Sequence, residues 1–360
     1  MLDPIERKVI EDGSREAWMV YADRLLEEGA PWGPVIAAAC TGTPDHNAQK
    51  EAMQAIFGRA VDEAGSVGWQ YGMLDTLVVD AHGWEHQEET AVPTVIRRAL
   101  THPAGRFLRV LDVGLPLPVH DIDWHFDDVI KAIAETGVHP RLEMLDLSRG
   151  ADHMDQPSWR RVGDLSPIWT VLPRLGTLKV FGSAGSDGGV RLALGDIEAP
   201  NLNVLILESS GLDNQAVKDL CRAHLPKLEH LELWFGMEDY GNSCTLDDVA
   251  ALVAHAGFPS LRRLDLDNSE WEADLVDVVA NSRLLPKLEE LSMSMGIFGE
   301  GPVQRILERA QDFAHLKRLY LDENVITDDQ IEALRTVLPN VSVENQKEDD
   351  DGWVYVSCGE

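Results

Sequence analysis

Basic residues are scarce in this 360-residue chain. Lysine and arginine number 31 against 62 aspartates and glutamates, a formal net charge of −31. Such a chain is repelled by phosphate backbones and by anionic membrane surfaces. Neither nucleic acid nor membrane is expected as a partner, and a partner held by charge is expected to be basic. The same charge also serves plain solubility. Cysteine is equally thin. Cys40, Cys221, Cys244 and Cys358 stand far apart and form no Cys-x-x-Cys pair. That argues against a zinc framework and a disulfide scaffold, and a reducing cytoplasm fits best. No stretch approaches the roughly 18 uninterrupted apolar residues of a membrane span. No secretory leader is expected either, because Asp3, Glu6, Arg7, Lys8 and Glu11 occupy the stretch where an apolar segment is needed.

What the chain does have is leucine in a repeating pattern. L-x-x-L-x-L occurs at Leu142, Leu145 and Leu147; Leu202, Leu205 and Leu207; Leu228, Leu231 and Leu233; Leu261, Leu264 and Leu266; and Leu316, Leu319 and Leu321. Close variants are centred on Leu77, Leu111, Leu178 and Leu291, which brings the copies to nine. Middle leucines are 26 to 34 residues apart, against about 20–29 for leucine-rich repeats, so several copies carry insertions. A proline two residues before the first aliphatic position punctuates most copies, at Pro140, Pro173, Pro200, Pro226, Pro259, Pro286 and Pro339. Proline cannot continue a helix, so each copy reads as helix, stop, short strand, loop, helix.

Helical spacing of apolar residues marks 212–224, 246–256, 272–282, 303–310 and 328–337, with Asp247, Asp274 and Asp328 near helix starts. Gly182–Gly189 is glycine-rich and 190–197 alternates like a strand, so no helix is expected after Leu178. The fold class that follows is α/β: a leucine-rich-repeat solenoid, or horseshoe, with a parallel concave sheet and a mostly helical convex side. Residues 1–66 read as a helical module capping the first repeat, with helices over 15–28 and 47–64, Ser14 as N-cap and Gly29 as stop. The solenoid then spans 67–340. Residues 341–360 read as a capping hairpin, Val341–Val343 and Trp353–Val356 flanking the acidic turn 348–352.

Three blocks resemble known families. Val20-Tyr-Ala-Asp-Arg-Leu-Leu-Glu-Glu-Gly-Ala-Pro-Trp-Gly33 resembles the short bacterial repeat-companion domain found ahead of repeat arrays, with Trp32 where a basic residue is usual. The repeats resemble the ribonuclease-inhibitor-like class. Glu208-Ser-Ser-Gly-Leu212, His230-Leu-Glu-Leu-Trp-Phe-Gly236 and Tyr240-Gly241 resemble a bacterial leucine-rich-repeat family of unassigned function. These resemblances imply the fold and carry no activity, substrate or cofactor.

Few motifs invite chemistry. His82-Gly-Trp-Glu85-His86 has the form of an inverted zinc-protease signature. That chemistry needs both histidines on one helix face, whereas here Gly83 interrupts the motif and a strand precedes it. Cys221 and His224 share a helix without an orienting group. The stretch 182–189 lacks the lysine of a phosphate-binding loop, and 348–351 lacks the spacing of a calcium loop. No catalytic residue, metal ligand or cofactor is assigned.

The sheet's outer face is the better candidate. In each copy three residues alternate with the aliphatics and point away from the core. Nine of those 27 positions are acidic: Asp80, Asp112, Asp146, Glu208, Glu232, Asp265, Asp267, Glu290 and Asp322. Three are basic, Lys179, Arg263 and Arg318, while Phe181, Ile206, Trp234 and Tyr320 are large and apolar or aromatic. Aromatics among charges are the usual material of an interface hot spot. The expectation is a monomeric, non-catalytic scaffold that holds a protein, basic in character, around Phe181, Glu208, Glu232, Trp234, Asp265, Asp267 and Tyr320. A narrower alternative is an inhibitor or immunity protein for a basic enzyme. A metal-dependent hydrolase using His82, Glu85 and His86 is the third.

Overall fold

The computed structural model describes residues 3–58, 66–81, 91–114, 125–149, 158, 160–183, 192–348 and 355–358. The chain forms two compact units. One holds Met1–His120, Asp128–Gly150 and Pro167–Leu175, the other Asp121–Asp127, Ala151–Ser166 and Gly176–Glu360. The division falls inside the repeat stretch.

The first unit opens with helices Pro4–Asp12, Arg15–Glu27, Gly33–Cys40 and His46–Phe57. Ser14 Oγ caps the second by accepting from Ala17 N, and Gly29 lies just beyond its end at φ +68°. Strands β1 (Val67–Gln70), β2 (Met73–Asp80), β3 (Val110–Gly114) and β4 (Met144–Arg149) follow. β1 and β2 are antiparallel around Tyr71 and Gly72, both at positive φ, which is the turn that matches strand twist in a two-residue hairpin. From β2 onward the pairing is parallel, with Leu77, Leu111 and Leu145 side by side and fully buried. The helical module is fastened to the first repeats through Trp18. Its ring meets Phe107 edge-on at 5.3 Å, and Met73 and Phe107 share its core.

The second unit carries β5 (Thr177–Phe181), β6 (Val204–Glu208), β7 (His230–Gly236), β8 (Arg263–Ser269), β9 (Glu290–Ser292), β10 (Arg318–Tyr320) and β11 (Val341–Ser342). All pair in parallel and in chain order. The register puts Leu178, Leu205, Leu231, Leu264, Leu291 and Leu319 in one row, each at most 1% exposed. Helices Asn214–Leu220, Leu246–Ala254, Ala273–Ala280, Glu300–Glu308 and Asp328–Val337 return the chain between strands. Leu275, Val276 and Val279 form the buried apolar stripe of Ala273–Ala280, whereas Asp328–Val337 buries Leu334 alone. One strand per repeat, with a returning helix in most, stacked so that neighbours share a core, is a leucine-rich-repeat solenoid.

The prolines act through a recurring turn. Leu202 N donates to Ala199 O, Leu228 N to Leu225 O, Leu261 N to Phe258 O and Leu288 N to Leu285 O. In each turn proline fills the second position, where its fixed φ suits it. Thr245 and Thr327 begin their helices with capping boxes closed by Asp248 and Gln330, so Asp247 and Asp328 sit in first turns. The loop after β10 is pinned by fully buried Asn324. Its Nδ2 donates to the carbonyls of Met293, Leu321 and Asp322, and its Oδ1 accepts from Phe298 N.

Where no helix was expected after Leu178, none occurs among the described residues up to β6, and Ala193 bridges Asp164 instead. At the C-terminus Val341–Ser342 pairs with β10. Trp353 lies outside the described residues, and Cys358 is held by paired hydrogen bonds with the Asn268 side chain. All four cysteines are free. Among the described residues no helix is long and apolar enough to cross a membrane.

Candidate functional site

On β7, Leu231, Leu233 and Phe235 are fully buried and His230, Glu232 and Trp234 alternate with them. On β8, Arg263, Asp265 and Asp267 alternate with Leu264 and Leu266. The parallel register sets His230 beside Arg263, Glu232 beside Asp265 and Trp234 beside Asp267. Glu290, Ser292 and Ser294 continue these rows from β9, and Arg318, Tyr320 and Asp322 from β10 and its exit. Alternation and register alone therefore gather a polar patch on one rigid sheet face.

Its centre is a knot of charges. His230 Nε2 lies 2.9 Å from Asp265 Oδ2 and 3.6 Å from Glu232 Oε2. Arg263 Nε donates to both oxygens of Asp265, at 2.8 and 3.1 Å. Asp265 is fully buried, so the Arg263 guanidinium offsets a charge that would be costly alone, and the His230 ring adds a hydrogen-bonding partner. Glu232 accepts from Trp234 Nε1 at 2.8 Å. Burial, and then the nearby charge of Asp265, lift the Glu232 carboxyl above its ordinary pKa, against the pull of the Trp234 bond. Asp267 is more extreme. Burial and Asp265 raise it well above the usual carboxylate range, although its Oδ1 accepts from Ser292 Oγ at 2.6 Å and Ser294 N at 2.7 Å.

The aromatic residues frame this knot. Trp234 and Tyr320 are partly exposed. The Arg263 guanidinium carbon sits 5.5 Å from the Tyr320 ring centre, and Tyr320 Oη is 3.3 Å from Glu290 Oε2.

The structure brings Glu232, Trp234, Asp265, Asp267 and Tyr320 together on β7, β8 and β10. Glu208 and Phe181 lie on β6 and β5. Glu208 is paired with Lys179 at 3.2 Å, and Phe181 is 5% exposed, with the Arg160 guanidinium carbon 5.9 Å from its ring centre. Asp265 and Asp267 are also buried, at 0% and 7%. Sequence reasoning passed over His230. Its place two residues before Glu232 on the same strand face was the available signal.

The other candidates stand apart. His82, Glu85 and His86 lie outside the described residues, as do Trp84, Trp124 and Trp159. Trp169 is buried, and Trp271 packs on Phe235 with ring centres 4.6 Å apart. Burial raises the Cys221 thiol, the reverse of an activated nucleophile, and His224 is exposed.

Comparison with known proteins supplies fold and no more. No family model matches the chain, and no curated protein does. A crystal structure of a protein from Bacteroides fragilis is similar at 25% identity and a TM-score of 0.62, over 74% of this chain and 73% of that one. The structure of a leucine-rich-repeat protein from Leptospira interrogans matches at 18% identity and a TM-score of 0.35, over 70% of this chain and 51% of its own.

Proposed function

We propose that this chain is a non-catalytic recognition scaffold that holds a protein partner on the open face of β7 to β10. One observation carries the reading: Trp234 and Tyr320, partly exposed and each hydrogen-bonded at its polar tip to a carboxylate, flank the acidic knot of Glu232 and Asp265. Rigid aromatics of this kind offer contact area at little entropic cost, and the carboxylates around them select cationic side chains. The net charge of −31 adds long-range attraction for a basic partner. The same reading takes the chain as a monomer in a reducing cytoplasm, where its four free thiols stay free.

A narrower version is inhibition of a basic enzyme, favoured by the charge and by an acidic patch mounted on strands rather than on mobile loops. The experiment is an affinity capture from native lysate, comparing wild type with a Trp234→Ala, Tyr320→Ala double variant. Both targets are partly exposed, so the variant keeps its core. A basic protein held by wild type and lost by the folded variant supports the face. Equal recovery by both removes it.

A further inference from the structure

The charge knot is also a set of metal donors. His230 Nε2, a carboxylate oxygen of Glu232 and one of Asp265 lie within 4.8 Å of one another. They come from two adjacent strands whose register is fixed by Leu231 beside Leu264 and Leu233 beside Leu266. Three donors converge here without any loop having to move.

We propose that His230, Glu232 and Asp265 bind one divalent transition-metal ion, Zn²⁺ in the first instance. The donor chemistry decides the class of ion. An imidazole nitrogen with two carboxylates suits zinc and its first-row neighbours, whereas calcium and magnesium take oxygen alone. Two carboxylates and a neutral imidazole also balance a double positive charge.

The surroundings orient the donors as outer partners do in metal sites. Trp234 Nε1 holds Glu232 Oε1 at 2.8 Å and leaves Oε2 on the His230 side. Arg263 Nε grips Asp265 from the flank. Ser292 Oγ and Ser294 N fix the neighbouring Asp267. Arg263 is the opposing charge, and its other contacts, Glu290 at 3.7 Å and the Tyr320 ring, draw it towards β9 and β10. On metal entry the bond between His230 Nε2 and Asp265 Oδ2 breaks, each atom turns to the ion, and any proton shared between them leaves to solvent.

This proposal is independent of the partner reading, because its test uses the purified full chain alone. Co²⁺ is added at neutral pH and its visible absorption followed, Zn²⁺ is then used to displace it, and both titrations are repeated by calorimetry. The expected result is one ion per chain, with absorption of a protein-bound site that Zn²⁺ abolishes. Glu232→Gln and His230→Gln each abolish that signal, with circular dichroism confirming the fold. Trp234→Phe, which keeps the ring and removes the N–H, weakens affinity by about 10-fold. A His82→Ala, His86→Ala variant binds like wild type. The proposal is overturned by no stoichiometric signal, by a signal that survives in folded Glu232→Gln, or by one that disappears with His82 and His86.

Discussion

The indole N–H of Trp234 donates to Glu232 across 2.8 Å, from two residues further along the same strand. Neighbours at this spacing on one strand face are held by the pleat, so the bond needs no loop to form it. It satisfies a half-buried carboxylate that Asp265 repels. Trp234→Phe should therefore cost about 1.5–3 kcal/mol in urea unfolding, the range for a hydrogen bond to a charged group. A loss below about 0.5 kcal/mol would mean that water replaces the indole without penalty.

Asn324 makes four hydrogen bonds to backbone groups of the turns around it. Alanine would leave those groups buried without partners, at about 1–3 kcal/mol for an unsatisfied group. Asn324→Ala should lower the urea midpoint clearly. It should also speed amide exchange first at Phe298, whose N–H loses its acceptor.

Gly236 ends β7 at φ +71°, and a Cβ there would stand 1.7 Å from Ser210 O. Both the backbone angle and the contact exclude any other residue. Gly236→Ala should destabilise the chain by about 3 kcal/mol or more, among the larger single-residue effects. It should also shift the amide resonances of Trp234 and Phe235, since the strand must give way. An alanine variant with an unchanged unfolding midpoint would contradict the close approach.

His139 is 6% exposed and its Nε2 lies 2.9 Å from Thr136 Oγ1. Burial lowers its pKa to about 4 from the ordinary 6.5. Between those values the unfolded chain binds the extra proton and the folded one does not. Stability therefore rises with pH across this window and falls as pH drops from 6.5 towards 4. Relative to His139→Gln, the wild type should lose about 3 kcal/mol over that range, as two to three pKa units imply. Unfolding curves of the two proteins at pH 7, 5.5 and 4.5 check it. Parallel loss in both would place the acid sensitivity elsewhere.

Much of the fold was legible because leucine spacing is a direct record of register. Leu205, Leu231 and Leu264 stand side by side where the repeat pattern aligned them. Helix ends were less legible. The expected helix over 47–64 is Phe57 at its end, with Gly58 at positive φ, and the expected 212–224 is Asn214–Leu220. Apolar spacing marks a buried stripe, while caps and turns decide where hydrogen bonding stops. The hairpin of β1 with β2 went unread because Tyr71, an uncommon residue at positive φ, forms its turn with Gly72. On the face, alternation named the outward positions but not their depth. Asp265 and Phe181 point outward by pattern and are buried by longer neighbours such as Arg263 and Arg160, which no spacing rule reveals.

The most direct test of the recognition scaffold is a binding constant for the captured protein, once purified, against three forms of the chain. These are wild type, the Trp234→Ala, Tyr320→Ala variant, and Glu332→Lys, which changes an exposed residue of helix Asp328–Val337. The account predicts that the face variant loses about 2 kcal/mol or more, roughly 30-fold, as for an interface hot spot. Glu332→Lys should bind as wild type does. Equal affinity for all three, or a loss confined to Glu332→Lys, would contradict it.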